Sequence, residues 1–233
     1  MTDSAKISLI GITERHAVIS YGFQHDDQHV NVEVRAYRRT PDEVFLVTTP
    51  DLDLYHVHIP TTNAPRLAKD FPRAIHVKVT GHLRPDPWNL SHGTGIDLHI
   101  HTEDNPIILT EPYAQRTPMS FAQTTVVGNA GSDAEYKKLD NGSEVLSVPV
   151  AVNIRRQNQD NGEWTTERTD WYKVAYWSKN AKAMAGRIKK GNKIFATGNL
   201  KPSAYVRDDG QVNASLDITA KSIEIMSAEE RDK

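Results

Sequence analysis

Apolar and polar residues alternate along much of the chain, the period of two that marks half-buried strands. Val148, Val150 and Val152 are spaced this way, as are Tyr172, Val174 and Tyr176, and later Leu216 and Ile218. Between the last two groups, Ala181, Met184, Ala185 and Ile188 fall at i, i+3, i+4 and i+7, one face of a short helix. Gly191 is placed to end that helix in a left-handed conformation. Ala64, Leu67, Ala68 and Phe71 repeat the same face earlier in the chain, opened by Pro65 near the first turn. Asn141-Gly142 and Asp209-Gly210 are dipeptides of the hairpin-turn type.

The pattern occurs twice. Residues 169–202 align with residues 52–85 without a gap at an offset of 117, and ten of those 34 positions are identical. Among them are Asp53/Asp170, Tyr55/Tyr172, Val57/Val174, Ala64/Ala181, Gly81/Gly198 and Pro85/Pro202. The same offset sets Gly11 on Gly128 and Trp88 on Tyr205. A period this long exceeds any solenoid repeat, so each copy is expected to be a whole domain. Within a copy, three strands, a helix and two further strands follow the order of a five-stranded Greek-key barrel, the OB-fold. The expected architecture is therefore all-β with short helices, as two tandem OB-folds. The first covers residues 1–111 and the second 119–226, joined by a linker at 112–118 where Pro112 and Pro118 bracket a polar stretch. A short polar tail, 227–233, follows.

Composition narrows the function. The 233 residues include no cysteine, which excludes a disulfide framework, Cys-based metal fingers and a thiol nucleophile. No uninterrupted apolar run exceeds four residues, so neither a membrane-spanning helix nor a signal-peptide core is expected, and a cytoplasmic location is. The net charge of −2 hides an asymmetry: residues 1–118 sum to −4, residues 119–226 to +3 and the tail to −1. All ten histidines lie in the first half and three of the four tryptophans in the second. There is no phosphate-binding loop, nucleophile elbow or paired-carboxylate motif, so a catalytic site and a cofactor are not expected.

Several pieces of the second copy carry a resemblance. They are Val126-Val127-Gly128-Asn129 with Asp133 and Glu135, Asn141-Gly142, Val148-Pro149-Val150-Ala151 and Gly162-Glu163-Trp164. Thr169-Asp170-Trp171-Tyr172-Lys173-Val174, Lys189-Lys190-Gly191 and Thr197-Gly198-Asn199-Leu200 continue the series. In this order and spacing the segment resembles the bacterial single-stranded DNA-binding protein family, over about residues 120–226. The first copy matches only through the internal repeat, as a diverged OB-fold. Two such folds in one chain resemble the branch of the family that acts as a homodimer, which implies four OB-folds per assembly.

A binder of single strands needs aromatic faces for bases and cations that track phosphates. On the strand from Trp171 to Trp177, Tyr172, Val174 and Tyr176 point one way and Trp171, Lys173 and Trp177 the other. The first set is the expected barrel interior. Trp171, Trp177 and Tyr205 fall on the stacking-aromatic positions of the family, and Trp164 sits on a hairpin beside an expected Asn161-Gly162 turn. A subunit or helix contact is the competing role for Trp171 and Trp177, and hairpin packing for Trp164. Arg156 stands where many relatives carry an aromatic; its guanidinium can stack and also contact phosphate. Arg155, Arg156, Arg168, Lys173 and Lys179 are the candidate phosphate contacts. In the first copy Leu54 replaces Trp171, Pro60 replaces Trp177 and His56 replaces Lys173, while Trp88 persists and Arg38 and Arg39 stand near the counterparts of Arg155 and Arg156. The expectation there is a structural barrel that binds DNA weakly.

His56 and His58 share one strand face, as do His99 and His101, which makes a transition-metal cluster conceivable; outward polar positions on alternating strands are favoured, and no metal is expected. The functional expectation is sequence-independent binding of single-stranded DNA that protects exposed strands in replication, recombination or repair. The alternative is an OB-fold adaptor, a replication-restart accessory or RNA-binding protein. Members of the family usually end in a flexible tail with an acidic, Pro-Phe-closing tip; Ser227–Lys233 lacks one. Tail-mediated recruitment of repair proteins is therefore expected to be absent or to use another surface, which also leaves room for a specialised phage or mobile-element protein beside a bacterial, nucleoid-associated one.

Overall fold

The computed structural model describes residues 3–21, 28–37, 52–91, 93–104, 106–109, 121–157 and 162–226. They divide into two compact units, Lys6–Gln123 with Ala204–Ala214, and Thr124–Ser203 with Met1–Ala5 and Ser215–Lys233. The linker at 112–118, the tail, Asn161, Arg38 and Arg39 lie outside the described residues.

The first unit is built from β1 (Ser4–Thr13), β2 (Val18–Tyr21), β3 (Gln28–Tyr37), β4 (Leu52–Thr61), α1 (Ala64–Leu67), β5 (His76–Leu90), β6 (Gly93–Thr102) and β7 (Ile107–Leu109). Its strands lie in the order β2-β3-β4-β6-β5-β1, and β1 returns to pair with β3, closing a barrel. The second unit uses β8 (Phe121–Ala130), β9 (Glu135–Lys138), β10 (Glu144–Gln157), β11 (Trp164–Trp177), α2 (Ala181–Arg187), β12 (Lys193–Val206) and β13 (Val212–Ile225). Its order is β9-β10-β11-β13-β12-β8, closed where Val150 and Ala151 of β10 meet Ala130 and Asn129 of β8. In both, the strand before the helix runs parallel to the last barrel strand, β4 to β6 and β11 to β13. The two units are OB-folds of one plan, as the duplicated pattern predicts.

The alternation in sequence becomes the core. Leu146, Val148, Val150, Val152, Tyr172 and Val174 are fully buried, as are Val30, Val34, Val57 and Ile59 in the first unit. Each such side chain contributes about 1.5–3 kcal/mol by leaving water. Closure explains why a glycine recurs at the 117 offset. A Cβ at Gly11 would lie 2.5 Å from Val34 Cγ1 and 2.6 Å from the Arg35 carbonyl oxygen. At Gly128 it would run into the Ala151 carbonyl, with Val150 Cγ1 at 2.7 Å. At both positions the closing strand passes so near its partner's backbone that a side chain does not fit.

The helices differ from the expectation in detail. Ala181, Ala185 and Ile188 are buried as predicted. However, α2 ends at Arg187, and Ile188 leaves it in an extended conformation, φ −79 and ψ 115. Gly191 has the expected left-handed backbone, φ 84, but uses it in the turn after the helix, where its N–H donates to the Ala130 carbonyl at 2.8 Å. In the first unit the helix is a single turn with Pro65 near its start and the Asn63 side chain accepting from Arg66 N at 3.2 Å. It continues as a 3-10 turn, Ala68–Asp70. The short strands β2, β7 and β9 add to the five expected per barrel.

Asp3 is bonded on several sides within the second unit. Its carboxylate takes the Lys193 ammonium, the Asn153 N–H at 3.1 Å, the Asn153 side-chain amide at 2.8 Å and that of Asn129 at 3.2 Å. Both charged side chains are about nine-tenths buried, Lys193 at 10% exposure and Asp3 at 9%.

Candidate nucleic-acid interface

Tyr172 and Val174 fill the barrel, which turns Trp171, Lys173, Ala175 and Trp177 to the outside of β11. Trp171 is 53% exposed and Trp177 49%, high values for tryptophans on a sheet. They lie six positions apart, about 20 Å along an extended strand. Opposite on β10 stand Ala151, Pro149 and Val145, facing Trp171, Lys173 and Trp177 in turn. On the other flank Asp217 and Thr219 of β13 face Lys173 and Ala175. The face is an open strip with two indoles and one ammonium between them.

Trp171 is seated rather than loose. A methyl group placed on Gly131 would come within 2.5 Å of its Cζ3 and 3.0 Å of its Cη2, with the Pro149 ring at 3.6 Å. The far edge of the indole lies against Gly131, where a side chain would push it aside, and about half of the residue is open to solvent. Sequence reasoning missed this seat; the readable signal was a glycine two residues past the end of the Val126–Asn129 motif. Gly131→Leu is expected to unseat Trp171 and cost about tenfold in single-strand affinity while the melting temperature stays within a few degrees. Fluorescence anisotropy with an oligo-dT, together with a thermal melt, checks this.

The other candidates separate into groups. Arg155 and Arg156 are exposed at the end of β10, just past a register shift between Ile154 and Arg155. Trp164, 62% exposed, opens β11 opposite Gln157 and follows Gly162, whose φ is 72. Lys173 and Lys179 are exposed. Arg168 is engaged within the unit, donating to Asp170 Oδ2 at 2.8 Å with only 28% of its side chain exposed. That pair makes it a brace for the strand rather than a free cation. Tyr205 is 49% exposed near the end of β12.

The corresponding strip of the first unit carries Leu54, His56, His58 and Pro60 on β4, with Tyr55, Val57 and Ile59 buried beneath. Parallel β6 brings His99 beside His56 and His101 beside His58. The rings stack in a chain: His56 on His99 at 5.2 Å, His99 on His58 at 5.0 Å and His58 on His101 at 4.9 Å, with interplanar angles of 15–28°. His58 Nε2 and His99 Nδ1 are engaged with each other at 2.7 Å, and among the described residues no three His, Asp or Glu side chains are arranged to hold a metal ion. Trp88 on β5 also sits on a glycine: a Cβ at Gly95, its cross-strand partner, would meet the indole. The indole N–H donates to Asp97 Oδ1 at 3.0 Å, which fixes the ring.

Comparison with known proteins bears on this geometry. The family model described as "Single-strand binding protein family" matches residues 121–226. The second barrel, a little under half of the chain, is thus similar to members of that family. A single-stranded DNA-binding protein of Bacteroides thetaiotaomicron is 28% identical over 109 residues, 47% of this chain and 68% of its own. One from Xanthomonas axonopodis pv. citri is 28% identical over 101 residues, 43% of this chain and 55% of its own. The match thus spans little more than half the length of some of these relatives. The crystal structure of the wild-type single-stranded DNA binding protein from Thermus aquaticus aligns with 97% of this chain and 95% of its own, with a TM-score of 0.60 and 15% identity. At that identity the likeness concerns the fold, and it extends through both units. Trp164, Trp171 and Trp177 lie inside the family segment; Trp88 and the histidine stack precede it. No helix among the described residues is long and apolar enough to cross a membrane.

Proposed function

We propose that this chain binds single-stranded DNA without sequence preference, by stacking bases on Trp171 and Trp177 and neutralising phosphates with Lys173, Arg155, Arg156 and Lys179. The observation that carries the reading is the outer strip of β11, where two half-exposed indoles flank an exposed lysine and one of them rests on Gly131. Every base offers a π-face, so such a strip holds any sequence, and duplex bases already stacked on one another cannot use it. Trp164 extends the strip toward the β10–β11 hairpin. Arg156 adds a guanidinium that serves base or phosphate. Tyr205 and Trp88 are further stacking positions, and Arg168 acts through Asp170 on the strand's rigidity. The names of the family and of the relatives support the same ligand. The biological role that follows is coverage of exposed single strands in replication, recombination or repair, a binding function with no catalytic step.

The test is anisotropy titration of fluorescent dT, matched RNA and duplex at two salt concentrations. Tight, salt-sensitive binding of dT, with duplex at least a hundredfold weaker, supports the reading. Counterion release makes log K fall linearly with log salt, and the slope counts the phosphates engaged, at about 0.7 per phosphate for a single strand. Equal binding of duplex overturns it, and preference for RNA over DNA moves the chain to the adaptor alternative. We further propose a homodimer presenting four OB-folds, since one barrel offers a strand only a short path. Sedimentation at micromolar concentration is expected to give the mass of two chains; the mass of one contradicts it.

A further inference from the structure

We propose that the histidine stack of the first unit is a second contact face for the same single strand, one that takes up protons as phosphates dock. The inference rests on the proposed single-strand binding and assigns to the first barrel a binding mode of its own.

His56 and His58 occupy the register positions of β4 that Lys173 and Ala175 occupy on β11, two residues in from Leu54 at the position of Trp171. The barrel plan is the same, so the four rings stand on the equivalent outer strip. An imidazole stack offers planar π-faces and edge nitrogens, which suit bases and phosphates together.

Hydrogen bonds define how the stack is held. Asn31 donates through its side-chain nitrogen to Ser20 Oγ at 2.8 Å, so its Oδ1 is the acceptor facing His58 Nδ1 at 2.7 Å. His58 Nδ1 therefore carries a hydrogen, and in the neutral ring Nε2 accepts from His99 Nδ1 at 2.7 Å. That leaves His99 Nε2 as a lone pair without a hydrogen, ready to take a proton when an anion approaches. Protonating His58 instead breaks the relay, because two N–H groups would face each other.

The charges around the stack set the direction. On β3 stand Glu33, whose carboxylate is 3.8 Å from His56 Nδ1 and already accepts from Arg15 at 2.6 Å, and His29. On β5 stand His82, paired with Glu103 at 2.6 Å, and Arg84 and Asp86; on β6 stands Asp97, held by Trp88. Burial, with the neighbouring imidazoles, pushes His58 down to about 4. His99 and His101 shift the same way, first from lost water and then from His56 and Arg84 respectively. Burial thus favours the neutral rings of His58, His99 and His101 in the free protein. A docked phosphate supplies the opposite charge that favours the protonated ring, so binding takes up protons and strengthens as pH falls from about 7.5 to 5.5. Beside the stack a cavity of about 250 Å³, lined by His16, Val18, Asn31, Glu33, His56 and His99 among others, gives a base or phosphate room to enter.

The experiment uses the full chain with dT of about 70 nucleotides at constant ionic strength. Affinity is measured at pH 7.5 and 5.5, and proton uptake at pH 6 by calorimetry in two buffers of different ionisation enthalpy. Wild type is expected to tighten at least tenfold on acidification and to take up protons. The variant H56Q/H58Q/H99Q/H101Q should change less than threefold with no uptake beyond that of the other groups. H58F/H99F, which keeps two aromatic rings but removes their titrating nitrogens, should lose most of the pH effect and the proton uptake while its thermal melt shows a folded protein, which separates titration from misfolding. If wild type binds dT with full dependence on Trp171 but has the same pH profile as the glutamine variant, the stack is not a contact face and the single-strand reading stands. If wild type does not bind dT at either pH, the single-strand reading itself fails.

Discussion

Trp171→Ala and Trp177→Ala are each expected to weaken binding to oligo-dT at least tenfold, about 1.4 kcal/mol. Stacking on an aromatic is worth about 1–3 kcal/mol per base by alanine substitution, and both rings present roughly half their surface to solvent in the free protein. The two losses need not add, because one strand threads both platforms and can slide to re-engage the survivor. The double variant is expected to lose more than either single one but less than their product. Folding should survive, since neither indole enters the core formed by Tyr172 and Val174. Trp88→Ala should cost clearly less, as its ring is bound to Asp97 and lies on the acidic first half. The comparison is made by anisotropy with each variant's melting curve alongside. A tryptophan that packs against another subunit would instead change the sedimenting mass and leave monomer affinity intact.

The largest stability effect is expected at Asp3. Asp3→Ala leaves the Lys193 ammonium, with 10% of its side chain exposed, without its counter-charge, and removes the acceptor shared by Asn129 and Asn153. Breaking a buried pair from one side costs about 3–5 kcal/mol, because the remaining charge stays desolvated. Replacing both partners, Asp3→Leu with Lys193→Met, should recover most of the loss, since it removes the orphaned charge instead of creating it. Chemical denaturation of wild type, the single variant and the double variant reads this directly. A loss below about 1 kcal/mol in Asp3→Ala would show that water replaces the carboxylate.

Much of the barrel was legible because strand burial writes a period of two into the sequence. Tyr172 and Val174 fell inside and Trp171, Lys173 and Trp177 outside as the alternation required. The duplication was legible too, since both barrels need glycine where they close, at Gly11 and Gly128. Features that depend on distant partners were not. Asp3 lies 190 residues from Lys193, and no local pattern announces that pair. The Arg168–Asp170 pair is local by contrast: a β strand turns side chains two residues apart to one face, so the alternation itself announces it. The seat under Trp171 is a glycine whose meaning appears only once β11 passes over it. The histidine pairs were visible on each strand, but their stacking required the parallel register of β4 and β6, which a sequence does not print. Gly191 had the right backbone in the wrong element, because Ile188 is drawn into the core and ends the helix first.

The central claim is that a single strand lies along the outer face of β11. Photo-cross-linking with a dT oligonucleotide carrying halogenated uracil tests it most directly, because the excited base couples to the aromatic ring on which it rests. Peptide mapping is expected to place the principal cross-links on Trp171 and Trp177, with their yield falling as salt rises and vanishing when unlabelled dT competes. Cross-links confined to residues outside β10, β11 and β13, with Trp171 and Trp177 unmodified at saturating oligonucleotide, would contradict the account.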